Sequence, residues 1–171
     1  MWSRRRVIFV GVAGAVAAGA ALLLPRLGSS GAAPSGVALV SENGDMLRTV
    51  AQALLGSALP TEVEARNREL TRVTTATGEL ITNLPPSTRS EIADLFGLLA
   101  LKPARALLGY SGDWAASEIP AVTTFLAGLR DSSIGLKQQA YFALHDLLIG
   151  SFYAAPSTWA ATGYPGPPKL A

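Results

Sequence analysis

The chain has 171 residues but no cysteine, one histidine and only 15% charged residues. Without cysteine there is no disulfide framework, no thiolate metal site and no C-x-x-C-H attachment for c-type haem. Packing alone must therefore hold the fold. Missing disulfides also fit, without requiring, export of an already folded domain.

The single histidine, His145, excludes the carboxylate bundles that use a Glu-x-x-His pair on each of two helices, because no glutamate stands three residues before it. No G-x-G-x-x-G after a strand, G-x-S-x-G elbow, H-E-x-x-H or P-loop occurs, so independent catalysis is not expected. No metal site and no cofactor are expected in this chain.

Charge of either sign is sparse and mixed. Four of the fourteen basic residues, Arg4, Arg5, Arg6 and Arg26, lie at the amino end, leaving ten against twelve acidic ones in the remainder. Arg66, Arg68 and Arg72 are interleaved with Glu62, Glu64 and Glu69. Binding to nucleic acid needs a clustered basic face that displaces counterions, so it is not expected. The glutamates read as a solvated face.

The longest apolar run is Val7 to Leu24, directly after Ser3-Arg4-Arg5-Arg6. It resembles a twin-arginine export signal, with Arg4 and Arg5 as the recognised pair. Gly11, Gly14 and Gly19 keep its hydrophobicity moderate, and Arg26 disfavours the general secretion route. Ser30-Gly31-Ala32 best approximates a small-residue cleavage site. Eighteen helical residues span roughly 27 Å, so the segment is also long enough to serve as an uncleaved membrane anchor. Residues 1–33 are thus expected to be a signal peptide or anchor, placing the rest in the periplasm or on the outer side of the cytoplasmic membrane.

Residues 34–41, rich in Gly, Ser, Ala and Pro, read as a linker, and Val37 to Val40 is the only strand-like stretch. Residues 42–155 carry helical periodicity. Asn43-Gly44-Asp45 caps a first helix bearing Met46, Leu47, Val50 and Leu54, which Pro60 ends. Thr61-x-x-Glu64 predicts a capping box for a polar, peripheral second helix, with a break at Thr74-Thr75-Ala76-Thr77-Gly78. Ile92, Leu95, Phe96 and Leu99 mark a core helix, Ala104 to Tyr110 a short one, and Ser111-Gly112-Asp113 a turn carrying Trp114. Pro120 sits in the first turn of a helix ending near Arg130. The last helix runs from about Ser133 to Tyr153, with Ile134, Gln138, Tyr141, His145, Leu148 and Phe152 on one stripe and Ala140, Leu144 and Leu147 adjoining it. The class is all-α, a small helical bundle between an N-terminal signal or anchor helix and an extended aromatic, proline-rich tail.

That tail, residues 156–171, contains Trp159 and Tyr164 followed by Pro165-Gly166-Pro167-Pro168. Rigid aromatics with polar handles lose little entropy on binding, so Tyr153, Trp159, Tyr164, Pro165, Gly166, Pro167 and Pro168 are candidate partner-binding residues. The same residues could instead pack the tail over the bundle as a lid. His145, amid Tyr141, Leu144 and Leu148, reads as a packed interior group. Its neighbour Asp146 is expected to point elsewhere, which leaves His145 a low-grade catalytic candidate.

Gln138-Gln139-Ala140-Tyr141-x-Ala143-Leu144, then Gly150-Ser151-Phe152-Tyr153, then Trp159-x-x-x-Gly163-Tyr164-Pro165-Gly166-Pro167-Pro168 resemble the gluconate 2-dehydrogenase small-subunit family over about the last fifty residues. The resemblance implies a non-catalytic small subunit that carries the export signal for a large glucose-methanol-choline-type flavoprotein oxidoreductase. FAD would belong to that partner, with a cytochrome c subunit as a candidate further member and the membrane contacted through the N-terminal segment. The alternative is a stand-alone membrane-anchored helical protein that binds a small apolar ligand.

Overall fold

The structure, a computed structural model, describes residues 33–159 and 162–166. Among them are seven α-helices and no strand: α1 (Gly36–Glu42), α2 (Gly44–Leu55), α3 (Val63–Thr82), α4 (Pro86–Ala100), α5 (Lys102–Leu108), α6 (Ile119–Arg130) and α7 (Gly135–Tyr153). They form one bundle around one contiguous apolar core in which Leu47, Val50, Val73, Phe96, Leu129, Leu144 and Leu148 are fully buried. The expected leader, and with it Arg4 and Arg5, lies outside the described residues. No described helix is long and apolar enough to cross a membrane.

Helix α1 corrects the linker expected at 34–41. Ser35 caps it by accepting from the Ala38 amide at 3.2 Å, and Gly36 and Leu39 are buried against α3. A Cβ on Gly36 would collide with the Gly78 carbonyl oxygen, so only glycine lets the two backbones approach this closely. The Gly36 amide also donates to Thr82 Oγ1 at 3.0 Å. Composition suggested a linker because this stabilisation is tertiary.

Helix α3 is neither peripheral nor broken; it packs on α1, α2 and α7 and buries Leu70, Val73, Thr77, Gly78 and Ile81. Its cap is Glu62 rather than Thr61. The carboxylate accepts from the amides of Glu64 (2.8 Å) and Ala65 (2.5 Å), which hold it below the usual carboxylate range. The threonines that suggested a break return their hydroxyls to the preceding turn, Thr74 to Leu70 and Thr77 to Val73, so the ladder continues. Gly78 is there for α1.

Between α5 and α6 the expected turn carries Trp114 into the core, its indole N–H donating to the Leu99 carbonyl at 3.0 Å. Rings of Tyr110 and Phe125 pack around it at 4.6 and 6.2 Å. Arg105, 3% exposed, lies over the indole at 5.4 Å and donates to the carbonyls of Leu99, Ala100 and Gly112. A buried guanidinium with no carboxylate partner is tolerable here because carbonyl oxygens and a π face surround it.

On α7 the buried stripe is Ala140, Ala143, Leu144, Leu147, Leu148, Ser151 and Phe152. It keeps Leu148, Phe152 and the adjoining Ala140, Leu144 and Leu147 but turns away from Ile134, which is exposed, and Tyr141, which is half-buried. The Ser151 hydroxyl accepts from Thr77 of α3 at 3.0 Å, while Ala140 and Ala143 line a cleft shared with α4 and α5.

Candidate docking surface at the carboxyl-terminal end

The last turn of α7 leaves carbonyls without intrahelical donors, and three different groups capture them. Arg72 of α3 reaches the carbonyls of Ser151 (3.4 Å) and Phe152 (3.2 Å). The Thr158 hydroxyl meets the carbonyls of Phe152 at 3.3 Å and Ala155 at 2.8 Å. The indole N–H of Trp159 donates to the Tyr153 carbonyl at 2.8 Å.

Arg72 is itself held in place by Glu69, one turn earlier, which accepts from Nε at 3.0 and 3.1 Å and from Nη2 at 2.5 Å. Its guanidinium also lies 5.8 Å from the centre of the Phe152 ring. A cation at a helix C-terminus is favourable to the helix dipole as well as to the carbonyls. Glu69 is therefore not part of a freely solvated face. The Glu69/Arg72 spacing was visible in the sequence, but its targets, 79 and 80 positions along the chain, were not.

Beyond Tyr153 the tail makes one 3-10 turn at Pro156–Thr158. The Tyr164 ring stacks edge-on against Trp159 at 5.3 Å, and the Tyr164 amide donates to the Trp159 carbonyl at 3.2 Å. Gly166, at φ +97°, lies under the indole, where a Cβ would come within 3.2 Å of Cζ3. Trp159, Tyr164 and Gly166 thus form one ordered unit.

Tyr153 and Tyr164 nevertheless remain 38% and 49% exposed, so the unit keeps an outward aromatic surface. An open groove of about 470 Å³ adjoins it, lined by Ser57, Pro60, Glu69, Tyr153, Thr158 and Thr162 among others. Pro165 is exposed beside it. Pro167 and Pro168 lie outside the described residues.

His145 stands apart from this end and is not interior; its side chain is 38% exposed. Contrary to expectation it meets its neighbour, Nδ1 lying 2.9 Å from Asp146 Oδ1, with the Tyr141 ring tilted against the imidazole at 5.6 Å. Adjacent helical positions diverge by about 100°, yet both side chains are half-exposed and free to lean together. Among the described residues no group of three His, Asp or Glu is placed to hold a metal ion.

No protein-family model, no curated protein and no solved structure matches this chain.

Proposed function

We propose that this protein is the non-catalytic small subunit of an exported flavin-dependent dehydrogenase, with the FAD and the chemistry in a larger partner chain. It supplies the twin-arginine export signal, stabilises the flavoprotein and tethers it to the outer side of the cytoplasmic membrane. The leader motif around Arg4 and Arg5 and the likeness of the last fifty residues to gluconate 2-dehydrogenase small subunits support this reading.

The observation that carries most weight is the pre-ordered end of α7. Tyr153 and Tyr164 are offered on a frame already fixed by the Trp159 indole and the Arg72 guanidinium. Such a surface loses little entropy when it meets a partner. The apolar cleft between α4, α5 and α7 does not support the alternative of an apolar-ligand carrier, because it has room for about 40 Å³, far below the several hundred Å³ of a ligand pocket.

Isolation of the full chain from its own cells without denaturation tests the proposal. The expected result is a larger, flavin-containing polypeptide at fixed ratio and dye-linked dehydrogenase activity. A chain that elutes alone and carries neither flavin nor activity would overturn it.

A further inference from the structure

The solvent side of α7 has a periodicity of its own. Phe142, Asp146, Ile149 and Tyr153 recur at intervals of four, three and four residues, which aligns them along one face of the helix, opposite the stripe that fills the core. Phe142 is 46% exposed, the Asp146 side chain is 39% exposed, and Ile149 is half-buried. The rings of Phe142 and Tyr153 each lean on the preceding aromatic residue of the same helix, Tyr141 at 5.4 Å and Phe152 at 4.9 Å, and remain exposed.

Gly150 borders this face. It is exposed, its backbone is ordinary helix, and a Cβ there would meet nothing within 4 Å. Glycine inside a helix is destabilising relative to alanine. Gly36 and Gly78 are explained by their mutual contact, whereas Gly150 has no such contact within the chain. What an exposed helical glycine offers is room for a second backbone to come close.

We propose that a helix of the flavoprotein partner lies along α7 from Tyr153 back to Phe142, its backbone closest at Gly150. The inference rests on the reading of this chain as a flavoprotein subunit and names the part of the partner that the docking end receives. Tyr153 belongs both to that end and to the stripe, so a body seated on one meets the other. Apolar anchors at i, i+7 and i+11 over about 16 Å of straight helix fit a second helix packed alongside and not a strand. Asp146 stands in the middle of the seam with only the half-exposed His145 beside it. A carboxylate covered by a partner must be paired, so the partner helix carries an arginine or lysine at that level.

The test uses the full chain purified with its partner from its own cells, with flavin per chain and the urea midpoint as readouts. Gly150→Leu adds a side chain where this chain leaves space, so its midpoint should equal or exceed that of wild type while retained flavin falls roughly tenfold or more. Phe142→Ser, remote from Trp159 and the tail, should also lose flavin, and it decides the matter should Gly150→Leu prove unstable. Gly97→Leu, at an equally open glycine on α4, should keep its flavin. Retention of the flavoprotein by both Gly150→Leu and Phe142→Ser overturns the seam and leaves the subunit reading standing. A wild-type chain without flavin overturns both. A flavin-free dimer of this chain that Gly150→Leu dissociates would give the face to a second copy and overturn the proposal.

Discussion

The indole nitrogen of Trp159 lies 2.8 Å from the carbonyl oxygen of Tyr153, the last residue of α7, so the tail caps the helix from which it emerges. The polar handle of the tryptophan is spent inside the chain, while the tyrosines face outward. The lid role expected of the tail thus falls to Trp159, and the proposed docking role to Tyr153 and Tyr164. Trp159→Phe keeps a ring over Gly166 but removes the donor, and should cost about 1 kcal/mol. Trp159→Ala, losing the ring as well, should cost about 2 kcal/mol. Urea unfolding of the two variants checks the ordering.

Arg72 secures the same helix end from the other side. Replacing it with methionine deprives the Ser151 and Phe152 carbonyls of their donor and leaves Glu69 without its partner. The expected loss is about 1–2 kcal/mol, moderated because the pair is partly solvated. Lysine should not rescue, since a single ammonium cannot hold Glu69 and reach two carbonyls. Faster amide exchange at Ala154 and Ala155 in the variant, with unchanged exchange in α2, would locate the effect.

Gly36→Ala tests whether α1 belongs to the folded domain. The new methyl would collide with the Gly78 carbonyl, so α1 must lift from α3 at a cost of about 3 kcal/mol. Gly78→Ala, whose Cβ would meet Gly36 O at 3.3 Å, should be the milder change. If residues 34–41 behaved as a linker, Gly36→Ala would unfold at the same urea concentration as wild type.

Glu62 gives a prediction with a pH sign. Its carboxylate is held below the usual range by the Glu64 and Ala65 amides, so its contribution is present above the unfolded-state value and disappears as pH falls through the folded-state one. Glu62→Gln should therefore lower the urea midpoint at pH 7, and the gap to wild type should shrink as pH falls through the folded-state value. Thr61→Ala, by contrast, should leave the midpoint unchanged at both.

Periodic apolar faces marked α2, α4, α6 and α7 in the sequence, with Asn43 and Pro120 indicating where α2 and α6 begin. Helix α1 was not marked because Gly36, in propensity terms a helix breaker, is chosen for its contact with Gly78, forty-two positions away. The same contact explains why the threonine- and glycine-containing middle of α3 looked like a break. His145 and Asp146 were separated by applying helix geometry to Cβ directions alone, which ignores how far two exposed side chains can lean. At the carboxyl-terminal end, composition identified the aromatics but could not tell which would turn inward, since that depends on the unsatisfied carbonyls of α7.

Export should depend on guanidinium recognition and not on charge. Arg4→Lys combined with Arg5→Lys keeps the positive flank but loses the planar, multidentate pair, and should hold both this chain and the flavoprotein in the cytoplasm. Cell fractionation with an activity assay reads the outcome; unchanged export of the double variant would reject the twin-arginine reading.

The central claim is that the exposed face at the end of α7 holds a flavoprotein. It is tested most directly by deleting Trp159 to Ala171 and measuring circular dichroism and co-purifying flavin on the same sample. The account predicts that helicity is largely kept and that the flavin-containing partner is lost. A truncated chain that keeps both its helicity and its flavoprotein would contradict it.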